Sequence, residues 1–183
     1  MAARYSHFTH RHHFAAWAAA RASQRRWGVK TTAIVAAIES SGLSKLVAGR
    51  RAWPNTIAAF DRTHRDICRR IAERVQRKAN KKSTFGHAAK VVAVYLKSMV
   101  ILGPEHDSAF ARLAHPPIDR ILLKAIAGDV RLDMRLRRMC RDCNWTELNE
   151  DGYYGLIAEL RKHGLDKPSF WMLERYWDPR RSR

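Results

Sequence analysis

The chain has 183 residues, 46% hydrophobic and 28% charged, with 35 Lys and Arg against 17 Asp and Glu, a formal net charge of +18. That length fits one domain spanning residues 1–183, and six Trp and six Phe supply enough apolar surface for a core, which excludes a disordered basic tail and puts the charge on a folded surface. No apolar run approaches the roughly 20 residues a membrane-spanning helix needs, and the basic start lacks an apolar signal core, so a cytoplasmic protein without a membrane partner is expected.

Residues Phe14 to Arg26 read as an alanine-rich helix carrying Trp17 and stopped at Gly28. Thr31 or Thr32 caps the next helix, with Ile34, Val35 and Ile38 on its buried side and Gly42 closing it. After a loop bearing Arg50, Arg51 and Trp53-Pro54, the stretch from about Thr56 to Lys78 is the clearest amphipathic helix. Cys68, Ile71, Ala72, Val75 and Ala79 recur there at helical spacing. A polar turn from Ala79 to Ser83 leads through Thr84-Phe85-Gly86 into an apolar helix from His87 to about Ile101, broken by Gly103-Pro104. A loop through Arg112 and His115 reaches Pro116-Pro117; Ile118 to Ile126 is helical again, and Gly128 ends it. Two or three further helices follow, including Gly152 to His163 and the aromatic run from Phe170 to Trp177. No period-two alternation persists, so the fold class expected is all-α, a single compact helical domain.

The charge is unevenly spread. Residues 1–30 hold six basic and no acidic side chains, residues 61–90 hold ten basic against three acidic, and residues 91–120 balance at three of each. The balanced block marks the interior or a pocket. Basic residues on the amphipathic helix and the turn after it, namely Arg62, Arg65, Arg69, Arg70, Arg74, Arg77, Lys78, Lys81 and Lys82, face only Asp61, Asp66 and Glu73. Such an excess tracks phosphates better than it serves a solvated face, and the N-terminal basic segment can extend the track. A polyanion partner is implied, nucleic acid before an anionic membrane, because no segment joins a basic face to a large exposed apolar one.

Cys68, Cys140 and Cys143 leave one thiol unpaired in any disulfide scheme, which fits a reducing compartment. Cys140-x-x-Cys143 is half a zinc site with no second pair, and His7, His10, His12 and His13 lack Cys or acidic partners. No metal or other cofactor is expected.

The segment from Ser83 to Lys97, with Gly86 opening an apolar helix, and the later Pro117-Ile118-Asp119 together resemble the helix-hairpin-helix DNA glycosylase superfamily over about residues 83–126. In that family a glycine hairpin opens a helix whose N-terminus holds the DNA backbone, and a Pro-x-Asp sets a carboxylate at the mouth of the base pocket. The resemblance therefore implies a helix-hairpin-helix glycosylase-like fold, double-stranded DNA with an extruded base as partner, and Asp119 as the carboxylate. The hairpin here has one glycine instead of two, and the lysine that strand-cleaving members carry two residues after the second glycine is Ala88, with lysines at Lys90 and Lys97.

The chemistry can be stated independently. Releasing a base requires the nucleotide to leave the stack and enter a pocket lined by aromatic or apolar groups. A carboxylate such as Asp119 can stabilise the oxocarbenium-like transition state, and an amine can attack C1′ to form a Schiff base. Lys90 and Lys97 are two turns apart on one helical face, both candidate amines. Gly86 and His115 are candidate substrate contacts, and Phe170, Trp171, Tyr176 and Trp177 are candidate stacking groups. Each has a plainer role: Asp119 as a helix cap, the lysines as solvated side chains, His115 as a loop hydrogen-bonder, the aromatics as core.

Two function classes follow. One is a DNA glycosylase, hydrolytic or with lyase activity, excising a damaged or modified base in base-excision repair or in defence against modified phage DNA. The other is a non-catalytic helical DNA- or RNA-binding protein. A helical ribonuclease built on Arg4 and His10 is a third, weaker reading.

Overall fold

The first helix begins well before the alanine-rich pattern does. In the computed structural model, which describes residues 5–178 and 180, α1 spans His7–Trp27 because the Ser6 hydroxyl accepts the Thr9 amide and starts the turn there. Gly28, at φ 67, ends it. Ala15, Ala16, Ala19 and Ala20 lie fully buried along one stripe, and their small side chains let α1 run close against α5. Trp17 points the other way and is 52% exposed, so it anchors nothing.

Helix α2 (Thr31–Ser40) has Lys30 at its cap and gains no side-chain cap from Thr31 or Thr32, contrary to expectation. Gly42, at φ 85, turns the chain directly into α3 (Leu43–Ala48), a short element the pattern did not reveal. Helix α4 (Ile57–Ala79) matches its forecast closely. Thr56 caps it, and Phe60, His64, Ile67, Cys68, Ile71 and Val75 form the buried line. Helix α5 (Phe85–Leu96), capped by Thr84, is buried almost all round and continues as a π-helical turn, Lys97–Ile101. A helix apolar on every side belongs in the centre, and α5 packs against α1, α4 and α9.

After the short α6 (Ala109–Leu113), Pro116, Pro117 and Ile118 are buried in extended chain instead of helix. A residue before proline is pushed out of the α region, so α7 (Arg120–Gly128) starts only past the prolines, with Asp119 as its cap. Helices α8 (Met134–Asp142) and α9 (Glu150–Lys162) follow, capped by Asp133 and Asn149. The aromatic run Phe170–Tyr176 is a 3-10 helix, not an α-helix, and lies across the others as a strap pinned by Phe170 and Leu173. The described residues are 71% helical without a strand, in one compact domain. The charge-balanced block 91–120 is mostly interior over residues 91–101 and 110–119, with an exposed turn over 102–109 between them. Among the described residues no helix is long and apolar enough to cross a membrane.

A buried polar network ties α4 to α9. Arg161 grips Asp61 with two nitrogens at 2.6 and 2.9 Å, and His115 Nε2 stands 3.1 Å from the same carboxylate. The Tyr154 hydroxyl donates to the Asp61 carbonyl, so its proton is spent and His64 Nδ1–H, at 2.9 Å, must donate to it. Burial holds both imidazoles below the ordinary histidine range; bonds from Arg161 and His115 hold Asp61 below the carboxylate range although burial alone would raise it.

Candidate active site

A cleft of about 810 Å³ opens between the C-terminal end of α1, the second turn of α5 and the whole of α7. Asp119 and Lys90 share it. Extended chain through the two prolines delivers Asp119 to the head of α7, where Oδ1 accepts the Ile121 and Leu122 amides at 2.9 and 3.1 Å. Its other oxygen, Oδ2, accepts Lys90 Nζ at 3.1 Å and the indole N–H of Trp177 at 3.1 Å. Asp119 is thus a cap and a cleft wall at once. Both side chains of the Lys90–Asp119 pair are only 11% exposed, and both line the cleft.

Two aromatic rings complete the walls. Trp145, on the loop between α8 and α9, lies beneath Lys90 with the ammonium 4.7 Å from its ring centre. Tyr176, from the strap, donates its hydroxyl to Asp129 Oδ2 at 2.7 Å, while Arg131 holds both oxygens of Asp129. Those bonds, Arg131 first, hold Asp129 well below the usual carboxylate range. Around the rim stand Arg25 and Arg26 at the end of α1, and Arg120 and Lys124 one turn apart on α7. None of these four pairs with an acid among the described residues. Asp119 and Asp129, the two carboxylates present, are already engaged. The result is a hollow with Tyr176 and a mostly buried indole, Trp145, at its wall, a carboxylate–amine pair inside and unspent positive charge at its mouth.

The other expected residues fall elsewhere. Lys97 is not in the cleft; it pairs with Glu174 of the strap. His115 is buried in the Asp61 network and cannot touch a substrate. Gly86 is a packing glycine: its amide donates to the Leu148 carbonyl, and the His87 amide is taken by Thr84, so the first turn of α5 has spent these donors inside the protein. The expectation that this helix start holds a DNA backbone through Gly86 is thereby corrected. Phe170 is 1% exposed and belongs to the core, and Trp171 is half-buried against it, neither of them on the cleft wall. Trp177 turns its N–H to Asp119 and its ring is not part of the wall.

No family model matches the chain. Comparison with curated proteins and with solved structures likewise finds no significant match.

On α4, Arg65 and Arg69 converge on Glu150, Arg69 with a two-pronged grip, and Arg65 also covers the Tyr154 ring at 4.3 Å. These two tether α9 to α4 and share the one carboxylate of Glu150, although the Arg69 side chain stays 54% exposed. Arg62, Arg70, Arg77, Lys78, Lys81 and Lys82 are exposed, while Arg74 is half-buried. Burial pushes the Cys140 thiol up to about 12 and raises Cys143, so neither is a ready thiolate. His12 is buried against Tyr95 and Glu39, and His10 bonds Tyr5; Arg4 lies outside the described residues.

Sequence reasoning missed Trp145, Asp129 and the α7 cations Arg120 and Lys124. The two cations are four residues apart in the α7 sequence, a signal that was present; Trp145 sits in a loop, where no periodicity speaks for it.

Proposed function

We propose that the protein is a DNA glycosylase with lyase chemistry, in which Lys90 is the nucleophile and Asp119 its proton acceptor. One observation carries the reading: an amine and a carboxylate in hydrogen-bond contact, Lys90 Nζ to Asp119 Oδ2 at 3.1 Å, on the wall of a cleft of about 810 Å³, large enough for a nucleotide.

An extruded nucleotide enters with its base toward Trp145 and Tyr176 and its phosphates toward the rim cations. Lys90 passes a proton to Asp119 Oδ2, and the freed amine attacks C1′. The C1′–N bond breaks, and the departing base carries off the bonding electrons and takes up that proton. The C1′–O4′ bond then breaks as O4′ takes a proton from Nζ, leaving a protonated imine on Nζ; loss of a C2′ proton expels the 3′ phosphate with the C3′–O bond electrons, and water hydrolyses the imine to free the lysine. Asp119, held rigidly by two backbone amides, also opposes the positive charge that grows on the sugar.

The test is a panel of duplexes, each with one modified base, incubated with the protein and borohydride. A base released together with a trapped covalent adduct supports the reading, and Asp119→Asn should abolish release while duplex affinity persists. Tight, salt-sensitive binding with neither release nor adduct on any duplex would leave a non-catalytic nucleic-acid binder.

A further inference from the structure

Asp119 Oδ1 is filled by two backbone amides, which leaves Oδ2 as the oxygen available for chemistry. A carboxylate oxygen offers two lone-pair directions. One receives Lys90 and the other receives Trp177, each at 3.1 Å. The indole nitrogen is a donor only; it can neither accept the proton that leaves Lys90 nor act as a base. What it can do is fix the direction in which Oδ2 presents its remaining lone pair.

The segment that carries Trp177 is built to hold it there. Phe170 and Leu173, each 1% exposed, sink the strap into the core. Glu174 pairs with Lys97, whose ammonium lies 5.7 Å from the centre of the Trp177 ring. Tyr176 bonds Asp129 at the far end of α7. Consecutive residues of the strap thus bracket α7 at both ends, Trp177 on the cap carboxylate and Tyr176 on the carboxylate after the last turn.

We infer that Trp177 is a positioning residue: its indole N–H orients Asp119 Oδ2 toward Lys90, and its ring does not stack on the base. This rests on the glycosylase reading above. It also assigns Lys97 a role, that of holding the strap under Trp177 instead of attacking the sugar.

Trp177→Phe separates the two roles, because phenylalanine keeps an aromatic face and loses the donor. In the full-length protein, with a duplex on which the parent releases base, the single-turnover rate should fall about 10- to 100-fold, the loss expected for one hydrogen bond to a charged group. KM and duplex Kd should stay within about twofold. Trp177→His, which retains an N–H, should recover part of the rate. A parental rate in Trp177→Phe, or a loss confined to KM, would overturn the inference. A second measurement does not depend on activity: the Trp177 indole N–H proton should resonate downfield and move upfield in Asp119→Ala. An unmoved resonance overturns the contact itself, whereas a moved resonance in a protein that releases no base overturns the glycosylase reading and leaves the hydrogen bond standing.

Discussion

A β-carbon on Gly86 would stand 2.0 Å from the carbonyl oxygen of Trp145. The first turn of α5 and the loop that carries the cleft's indole are therefore in backbone contact, with the Gly86 amide bonded to Leu148 at 3.0 Å just beyond. Gly86→Ala must push that loop away. We expect a destabilisation of about 1–3 kcal/mol from overpacking against backbone that cannot swing aside, with Trp145 displaced from beneath Lys90. Thermal unfolding checks the first and the shift of the Trp145 indole N–H resonance the second, and an unperturbed variant would show that the contact is slack.

Lys90 and Lys97 make opposite predictions in the trapping assay. Lys90→Met should yield no borohydride adduct, because no amine remains beside Asp119. Lys97→Met should still be trapped, at a reduced rate, since it loosens the Glu174 pair. An adduct that survives in Lys90→Met and vanishes in Lys97→Met would reassign the nucleophile.

Duplex affinity should fall linearly on a log–log plot against salt, each phosphate contact contributing about 0.9 to the slope. Replacing Arg25, Arg26 and Lys124 by Gln should lower that slope by about 2 to 3. Replacing Arg65 and Arg69, which already share Glu150, should lower the slope less than the rim changes do. Binding titrations from low to high salt decide between the rim and α4 as the track.

Acid should unfold the protein in two stages. His64, His115 and His87 have folded values pushed down by burial, His87 to about 4. Below about pH 6.5 the unfolded chain takes up protons that the fold refuses, so stability falls from there downward, on the order of 3 kcal/mol from His87 alone by pH 4. Asp61, depressed by Arg161 and His115, adds stability that is full above its unfolded value near pH 4 and is lost below it. Denaturant titrations at pH 7.5, 5.5, 4.5 and 3 should show a midpoint that declines first with the buried histidines and then with Asp61; a flat one contradicts both.

Phe170→Ala should cost about 3–5 kcal/mol, as an emptied aromatic site in a core does, and should loosen the strap that brings Tyr176 and Trp177 to the cleft. If instead the variant is fully stable and merely weak in binding, Phe170 stacks on a ligand after all.

The sequence was most legible where periodicity and caps agreed. Helix α4 combines a clean apolar stripe with Thr56 at one end and Asn80 in a left-handed conformation at the other, and its extent followed almost residue for residue. Helix α1 was cut short because its first turns are rich in histidine and lack apolar spacing, so only the Ser6 cap marks the start. Short α3 and α6 hold too few residues for a period to register. At the site, Asp119 was singled out by the resemblance through Pro117-Ile118-Asp119, but the sequence pattern began the helix at Ile118, one residue ahead of the cap that Asp119 forms. Lys90 and Lys97 could not be separated from sequence, since their spacing puts them on one face of a single expected helix; in the structure Lys90 lies on α5, Lys97 opens the π-helical turn after it, and the distant strap brings Glu174 to Lys97. Trp145 and Asp129 meet the cleft through loops, whose paths no local pattern dictates.

Six cations surround the cleft, and Arg25, Arg26, Arg120 and Lys124 repel one another with no counter-ion built in. One experimental knob must therefore act with opposite signs: added salt quiets this repulsion and should raise the melting temperature of the free protein. The same salt weakens its grip on a polyanion. At low ionic strength the ordering reverses, and a bound duplex becomes the stronger stabiliser, so the protein is least robust when dilute in both salt and ligand.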